Sequence, residues 1–185
     1  MNFFFKVSAG ENIGIGHLQR CLNLATGLNK KKNNIIFLVN KSSKKYIKKI
    51  KKKKFQVKVY QNNNILLMNA KKVFIKNEYN FLIIDDYSID YKWELKISNY
   101  VNKILVIDDF TNRKHYCDVY VNQNIINQKD IIKVKKKFNK QKCLLGPKYA
   151  LLDKKFYFYH NKKRENIFFK KILISFGGSD KENFT

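Results

Sequence analysis

Short apolar runs alternate with lysine-rich segments of helical length along most of this chain, and this alternation constrains the fold more than any other feature. Strands are predicted at the apolar runs Phe3–Ser8, Ile35–Asn40, Phe55–Tyr60, Phe81–Asp85, Ile104–Asp108, Val119–Asn122 and Lys142–Leu145. Helices are predicted between them, at His17–Leu28, Ser43–Lys54 (with Ser42 or Ser43 as N-cap), Ile65–Ile75, Asp90–Asn99 and Asp130–Phe138. This order favours a parallel sheet with helices on both faces, an α/β Rossmann-like fold, with ligands bound beyond the carboxyl ends of the strands.

The last part of the chain differs in character from residues 1–150, which form the expected first domain. Four consecutive aromatic residues, Phe156–Tyr159, precede a polar stretch, so we expect an inter-domain crossing at residues 151–170. Residues 171–185 are expected to be the truncated start of a second domain. They contain a predicted strand, a turn and a helix start, at Ile172–Phe176, Gly177–Ser179 and Asp180–Thr185.

The formal net charge of +25 invites a nucleic-acid function, but its make-up argues against one. Arg20, Arg113 and Arg164 are the arginines of the chain, and the other basic residues are lysines. Surfaces that read bases depend on the planar, bidentate guanidinium of arginine. Lysine, asparagine and isoleucine all have A/T-rich codons, so genome composition explains much of the charge. We expect no specific nucleic-acid partner.

Cysteine spacing and the absence of long apolar runs indicate the compartment. Cys21, Cys117 and Cys143 stand far apart without a CxxC or Cys/His spacing, so no structural zinc site is expected. Met1–Phe5 carries no charged residue and Lys6 interrupts the apolar run, so no signal peptide is predicted. No apolar run approaches the roughly 18 residues of a membrane span. We therefore expect a cytoplasmic protein with reduced thiols and no membrane insertion.

A glycine-containing loop, Ile13-Gly14-Ile15-Gly16-His17, stands between the first predicted strand and helix. Its glycines allow a backbone to approach a ligand closely, and a helix N-terminus offers free N–H groups to phosphate or sugar oxygens. A histidine here suits general-base catalysis because its reference pKa lies near neutrality. The alternative is a tight turn in which His17 only hydrogen-bonds the loop.

Two similar segments place paired acids and an aromatic residue after buried strands: Ile83-Ile84-Asp85-Asp86-Tyr87 and Val106-Ile107-Asp108-Asp109-Phe110. The functional interpretation is a cleft whose acids bind sugar hydroxyls or a metal ion. The structural interpretation is loop capping by aspartate, which is common after strands. The sequence leaves both open.

Two further segments contain polar residues of types that can take part in catalysis or ligand binding. Asn112–Asp118 contains His115 and Cys117, but they lack a second ligand pair, and a structured polar loop is the preferred interpretation. Ser175–Asp180 has two glycines between a predicted strand and helix, which suits either a diphosphate-binding turn or a plain turn with Ser179 or Asp180 as N-cap.

Taken in order, these segments resemble the UDP-sugar hydrolases of pseudaminic acid biosynthesis, the PseG family. The matching segments are Ile-Gly-Ile-Gly-His-Leu-Gln-Arg-Cys (13–21), Ile-Asp-Asp-Tyr (84–87), Ile-Asp-Asp (107–109), Arg-Lys-His-Tyr-Cys-Asp (113–118), Asn-Gln-Asn (122–124), Leu-Gly-Pro-Lys-Tyr-Ala-Leu-Leu (145–152) and Ser-Phe-Gly-Gly-Ser-Asp (175–180). The resemblance implies the N-terminal half of a GT-B fold, in which two Rossmann-type domains hold the substrate between them.

The resemblance also implies a reaction. Water attacks the anomeric carbon of UDP-2,4-diacetamido-2,4,6-trideoxy-β-L-altropyranose, UDP leaves and the configuration inverts, without a metal or other cofactor. The freed sugar then enters pseudaminic acid, which decorates flagellins and surface glycans. A glycosyltransferase of the same fold is a near alternative, and so is an inactive or split N-terminal domain that needs a complementing chain or C-terminal domain.

Site residues follow from the same resemblance. His17 matches the catalytic histidine, which would position or deprotonate water. The residues expected to contact the substrate are Gly14, Gly16, Arg20, Asp85 and Tyr87. The residues expected at the diphosphate are Gly177, Gly178, Ser179 and Asp180. Two departures stand out, because the family often has an acid where Ser8 stands and usually an arginine where Asp153 stands.

Overall fold

A parallel sheet of seven strands organises the computed structural model, which describes residues 1–8, 15–29, 33–160 and 172–174. Its strands are β1 (Asn2–Val7), β2 (Asn34–Asn40), β3 (Gln56–Tyr60), β4 (Asn80–Asp85), β5 (Lys103–Ile107), β6 (Val119–Asn122) and β7 (Lys142–Leu145). All neighbours pair in parallel, in the order β3-β2-β1-β4-β5-β6-β7. The α/β Rossmann-like fold expected from the sequence is confirmed.

Helices cover both faces of this sheet. They are α1 (Gly16–Asn29), α2 (Ile47–Lys52), α3 (Asn63–Met68), α4 (Ala70–Val73), α5 (Tyr91–Ile97) and α6 (Gln128–Lys137). A further helix, α7 (Lys154–His160), buries none of its residues. Buried residues of α1 and α2 pack on one face, whereas those of α3 to α6 pack on the other. None of the described helices has both the length and the apolar character that crossing a membrane requires.

The central strands are buried on both faces because their apolar residues do not alternate with polar ones. In β1, Phe4 joins the core under α3 to α6, while Phe5 joins the core under α1 and α2. Each of these two side chains is fully buried. Continuous apolar runs of this kind are typical of parallel strands covered by helices on both sides.

The strand order creates a switch point between β1 and β4. From β1 the chain proceeds outward through β2 and β3, and it then returns to the other side of β1 with β4. The helix after β1 therefore lies on the opposite face from the helices that precede and follow β4. In open sheets of this type, the crevice beyond the carboxyl ends of such a strand pair is the usual ligand site.

Two predicted helices differ from the structure. The segment predicted as a helix at Ser43–Lys54 begins with a 3₁₀ helix at Lys41–Tyr46. Its N-cap is Asn40, whose Oδ1 accepts the Ser43 N–H and hydroxyl at 3.1 and 2.8 Å, so Ser43 is not the cap. Asparagine competes as well as serine for this position, and the cap therefore falls at the last residue of β2.

The predicted helix at Ile65–Ile75 is divided into α3 and α4 at Asn69. The Asn69 side-chain amide donates to the carbonyl of Ile65 at 2.8 Å, on the same oxygen that the Asn69 backbone uses. Local side-chain bonds of this kind compete with the helical ladder. Helix α3 consequently ends at Met68, and α4 begins at Ala70.

The end of the described structure differs from the packed domain before it. In α7 the four aromatic residues Phe156–Tyr159 are each about 60% exposed. Ile172, Leu173 and Ile174 are also exposed and lie in no regular secondary structure, so these residues of the strand predicted at Ile172–Phe176 do not form it. A strand requires a partner, and no described strand pairs with them. The rest of the predicted crossing and of the predicted second-domain start, residues 161–171 and 175–185, lies outside the described residues.

Candidate functional site

The register of β4 and β5 decides which aspartates meet. Ile84 pairs with Val106, so the two similar segments are offset by one residue relative to their sequence alignment. Side chains alternate between the faces of a sheet, and a one-residue offset therefore exchanges the faces of aligned residues. As a result Asp85, from the first pair, and Asp109, from the second, lie together on the α1 face, where both contact Arg20.

His17 and Asp85 form a buried pair at the centre of this cluster. His17 lies in the first turn of α1, and its Nδ1 is 2.6 Å from Asp85 Oδ1. The His17 side chain is 10% exposed and that of Asp85 is fully buried. A carboxylate only accepts, so Nδ1 carries a proton, and in the neutral imidazole the lone pair is then on Nε2. No residue of the described structure hydrogen-bonds Nε2.

Arg20 joins the two aspartates. Its Nε and one terminal nitrogen donate to both oxygens of Asp85 at 2.6 Å. Its other terminal nitrogen donates to both oxygens of Asp109 at 2.9 and 2.8 Å. Burial alone would lower the pKa of Arg20, but hydrogen bonds and charge from the two carboxylates raise it, so the guanidinium stays charged. The terminal nitrogen on Asp85 also lies 3.2 Å from His17 Nδ1, because both groups share Asp85 Oδ1.

Tyr87 closes the cluster on the side that faces solvent. Its hydroxyl donates to Asp109 Oδ2, and its ring meets the His17 ring edge-on with centroids 4.5 Å apart. Phe110 packs against the same tyrosine at 4.9 Å. Tyr87 is 37% exposed. Burial first, and then the hydrogen bond and charge of Asp109, raise the pKa of Tyr87, so the phenol keeps its proton at neutral pH.

The cluster is suited to proton transfer at His17 Nε2. Asp85 fixes the tautomer and the orientation of the ring, and it stabilises the imidazolium that forms when Nε2 takes a proton. Arg20 compensates part of the negative charge of Asp85 and Asp109. Asp85 is fully buried, so it could act on a ligand only through His17 and Arg20, although a direct contact with the sugar was expected.

Asp86 lies away from this cluster, on the opposite face of the sheet. It accepts from Lys6 Nζ and from the backbone and hydroxyl of Ser88, the latter two at 2.9 and 2.6 Å. Lys6 is fully buried, with the Tyr60 ring 5.4 Å from Nζ. Burial lowers the pKa of Lys6, and the lysine in turn holds the pKa of Asp86 below its usual range against the effect of burial. This ion pair is part of the core.

Asp108 joins a second buried cluster with His115. The two imidazole nitrogens of His115 each lie 2.7 Å from a carboxylate oxygen, one of Glu94 and one of Asp108. Burial would lower the pKa of His115, but the bonds to Asp108 and Glu94 raise it. Burial raises the pKa of Cys117, which favours the thiol over a reactive thiolate. The preferred interpretation of this loop, a structured polar loop, agrees with the geometry.

The predicted site residues divide into three groups. His17, Arg20, Asp85 and Tyr87 are brought together. Gly16 is the first residue of α1, and a methyl group there would meet no described heavy atom within 4 Å. The remaining predicted residues lie outside the described structure, and they are Gly14, Gly177, Gly178, Ser179 and Asp180.

The two departures from the family pattern also have structural places. Ser8 is buried after β1, and its backbone N–H donates to the carbonyl of Asp85 at 3.3 Å. Asp153 precedes α7, and its carboxylate accepts the Lys155 N–H at 3.0 Å. This is the kind of bond by which an aspartate caps the start of a helix.

Sequence reasoning missed Asp109 and Glu94 as individual partners. The sequence shows Asp109 as the second acid of a pair, but the face of the sheet on which its side chain lies depends on the register between β4 and β5. Glu94 lies on α5 next to Trp93 and is fully buried. An acid on the apolar stripe of a helix is the feature that indicates such a buried partner.

Comparison with known proteins gives a distant relative and no function. No family model matches the chain. The uncharacterized protein MJ1062 of Methanocaldococcus jannaschii is 33% identical over 180 residues, which cover 94% of this chain and 36% of the archaeal protein. The chain therefore spans about a third of the length of this relative.

Proposed function

We propose that this chain supplies the water-activating half of a UDP-sugar hydrolase, which releases UDP from UDP-2,4-diacetamido-2,4,6-trideoxy-β-L-altropyranose in pseudaminic acid biosynthesis. The observation that carries the proposal is the His17–Asp85 pair at the switch point between β1 and β4. The substrate identity comes from the family resemblance of the sequence, and the geometry supports the type of chemistry.

The chemical step needs one base and one good leaving group. His17 Nε2 takes a proton from water as the water oxygen forms a bond to the anomeric carbon. The bond from that carbon to the diphosphate oxygen breaks, and its electron pair leaves with UDP. Attack opposite the leaving group inverts the configuration. Asp85 holds the imidazole ring in place and stabilises the positive charge that forms on it.

The diphosphate requires positive groups that the described cluster does not supply. Arg20, the guanidinium of this cluster, is already engaged by Asp85 and Asp109. We assign the diphosphate to the glycine-rich segment Gly177–Asp180 and to a further domain, either in the same polypeptide or in a complementing chain. The archaeal relative is compatible with this assignment, because most of its length lies outside the aligned region.

The test is release of UDP from the altropyranose substrate, measured by chromatography, with the purified protein and its further domain or complementing chain. His17→Ala should reduce the rate by about 10²–10⁴-fold, which is the usual contribution of a positioned base. His160→Ala is the matched control, because His160 is exposed at the end of α7, a helix that buries none of its residues. Unchanged turnover in a folded His17→Ala variant would remove the base from this role.

A glycosyltransferase of the same fold is the second candidate. The same pair could deprotonate an acceptor hydroxyl instead of water, because a base at Nε2 does not distinguish the two oxygens. Product analysis separates the candidates. Free sugar that accumulates without an added acceptor supports the hydrolase, whereas turnover that depends on an acceptor supports the transferase.

We also propose a cytoplasmic location. The three cysteines are free thiols, and Cys21 and Cys117 are buried. Free thiols are typical of a reducing compartment, which supports this proposal. Fractionation of the source cells with an antibody against the protein tests it directly.

A further inference from the structure

We infer that Asp109 is a positioning residue that fixes Tyr87 beside His17 and presents the phenol oxygen of Tyr87 to the ligand as a hydrogen-bond acceptor. This inference rests on the proposed function for its consequence in catalysis. Its structural part concerns only the contacts between these three side chains.

Asp109 is held from several directions. Arg20 donates to both of its oxygens at 2.9 and 2.8 Å, and the Asn124 side-chain amide lies 3.3 Å from Oδ1. The Tyr87 hydroxyl donates to Oδ2. Because the Arg20 guanidinium fixes the carboxylate of Asp109, the lone pairs left on that carboxylate set the direction from which the phenol proton of Tyr87 can approach. Asp109 thereby determines where the hydroxyl of Tyr87 points.

The ring of Tyr87 is fixed at the same time. It contacts the His17 ring edge-on at 4.5 Å and the Phe110 ring at 4.9 Å, and the Arg113 guanidinium carbon lies 5.9 Å from its centroid. Aromatic pairs in edge-on geometry contribute about 0.5–1.5 kcal/mol beyond their buried area. Loss of the hydroxyl anchor would therefore loosen a ring that also supports His17.

The role of the Tyr87 hydroxyl as a donor or an acceptor toward a ligand follows from its single proton. A phenol has one proton, and Asp109 accepts it. The oxygen also accepts from the Arg20 side chain, which leaves it one further lone pair, so a ligand group that meets Tyr87 must donate. On a 2,4-diacetamido sugar the donors are hydroxyl groups and amide N–H groups. Tyr87 then selects for a donor at the position that it contacts, and Asp109 determines that selection without touching the sugar.

A double-mutant cycle with UDP release as the readout tests the catalytic consequence. Tyr87→Phe removes the acceptor but keeps the ring, and we expect KM to rise about 10-fold with kcat changed less than about 3-fold. Asp109→Asn should have a similar effect, because a neutral amide accepts the phenol proton less strongly than a carboxylate and holds the hydroxyl less firmly. The double variant should lose no more than Tyr87→Phe alone. Independent losses that multiply to about 100-fold would overturn the inference.

An NMR experiment tests the positioning without any turnover. The chain has three histidines, so the imidazole signals can be assigned with His160→Gln and His115→Gln variants. We expect Tyr87→Leu to remove a ring-current shift from the His17 C–H signals. Asp109→Asn should move the same signals in the same direction. Asp130→Asn, at a partly exposed position of α6, is the matched control.

The two experiments separate the two proposals. If His17 signals respond to Asp109→Asn but the protein releases no UDP in the presence of its further domain, the hydrolase proposal fails and the positioning of Tyr87 by Asp109 stands. If UDP is released and the His17 signals do not respond in a folded Asp109→Asn variant, the inference fails and the hydrolase stands.

Discussion

His17 Nδ1 and Asp85 Oδ1 lie 2.6 Å apart although 68 positions separate the two residues in the sequence. The sheet makes this contact possible, because Val7, at the end of β1, is in register with Asp85, at the end of β4. Helix α1 follows β1 and begins near this end of the sheet, so its first turn places His17 against the carboxylate of Asp85. A pair of adjacent parallel strands therefore creates the acid–base unit.

Asp85→Asn should abolish the control of the His17 tautomer while nearly preserving the volume of the side chain. We expect kcat for UDP release to fall by about 10³–10⁴-fold, as in catalytic triads whose histidine loses its aspartate. Nitrogen-15 NMR should at the same time show loss of the single Nδ1–H tautomer of His17. Asp130→Asn should change neither quantity. A wild-type tautomer in a folded Asp85→Asn variant would contradict this account.

The cluster around His115 predicts a pH dependence of stability. Its folded-state pKa is raised above the unfolded value of about 6.5 by Asp108 and Glu94, despite burial. A raised pKa means that the imidazolium stabilises the fold fully below about pH 6.5 and that this contribution is lost as pH rises through the folded pKa. The unfolding free energy of the wild type should therefore exceed that of His115→Gln most at about pH 6, and less at about pH 9.

Urea denaturation of both proteins across this pH range measures the difference. Because the chain has a large net positive charge, both proteins will share a general dependence on pH, and only their difference isolates His115. A difference that stays constant or grows with rising pH would show that His115 is not charged in the folded protein.

The sheet was predictable from the sequence because its strands are continuous apolar runs bounded by polar residues. All seven strands predicted within residues 1–150 are present, with bounds that differ by one residue or less. Helix boundaries were less predictable where asparagine competes for the backbone. Asn40 takes the cap from Ser43, and Asn69 divides a helix that periodicity alone treats as continuous.

The candidate site was predictable in its residue types and only partly in its arrangement. His17, Arg20, Asp85 and Tyr87 were named from motifs, and they meet in the structure. That Asp109 would join them depends on a one-residue offset between two strands, and no local pattern encodes that offset. Pairing register is a property of the assembled sheet.

The buried pair of Lys6 and Asp86 should stabilise the fold only while it is intact. Lys6→Met leaves a buried carboxylate without its cation, and we expect a loss of about 3–5 kcal/mol in unfolding free energy. Lys6→Met combined with Asp86→Asn should recover at least about half of that loss, because no buried charge then remains unpaired. Urea denaturation measures all three proteins.

The control for this pair is the exposed ion pair of Lys103 and Asp118. Lys103→Met should lower stability far less than Lys6→Met, because exposed pairs contribute little. Equal losses in the two lysine variants would mean that burial does not determine the contribution of Lys6. A double variant less stable than Lys6→Met would contradict the role of unpaired charge.

Arg20→Lys should destabilise the protein although it conserves the charge. Arg20 uses three nitrogens to hold Asp85 and Asp109, and a lysine ammonium cannot reach four carboxylate oxygens in this fork geometry. We expect the unfolding free energy to fall by about 2–3 kcal/mol, mainly because Asp85 stays buried with fewer donors. Gln19→Ala, one position earlier on α1, should change stability by less than about 1 kcal/mol.

A second variant separates the lost bonds from a general disturbance of α1. If the cost of Arg20→Lys comes from the buried charge of Asp85, then adding Asp85→Asn to Arg20→Lys should cost less than Asp85→Asn costs in the wild type. Urea denaturation of the four proteins in this cycle gives the coupling directly. Additive losses would mean that Arg20 stabilises α1 by packing, and the link between the two aspartates would then have no energetic role.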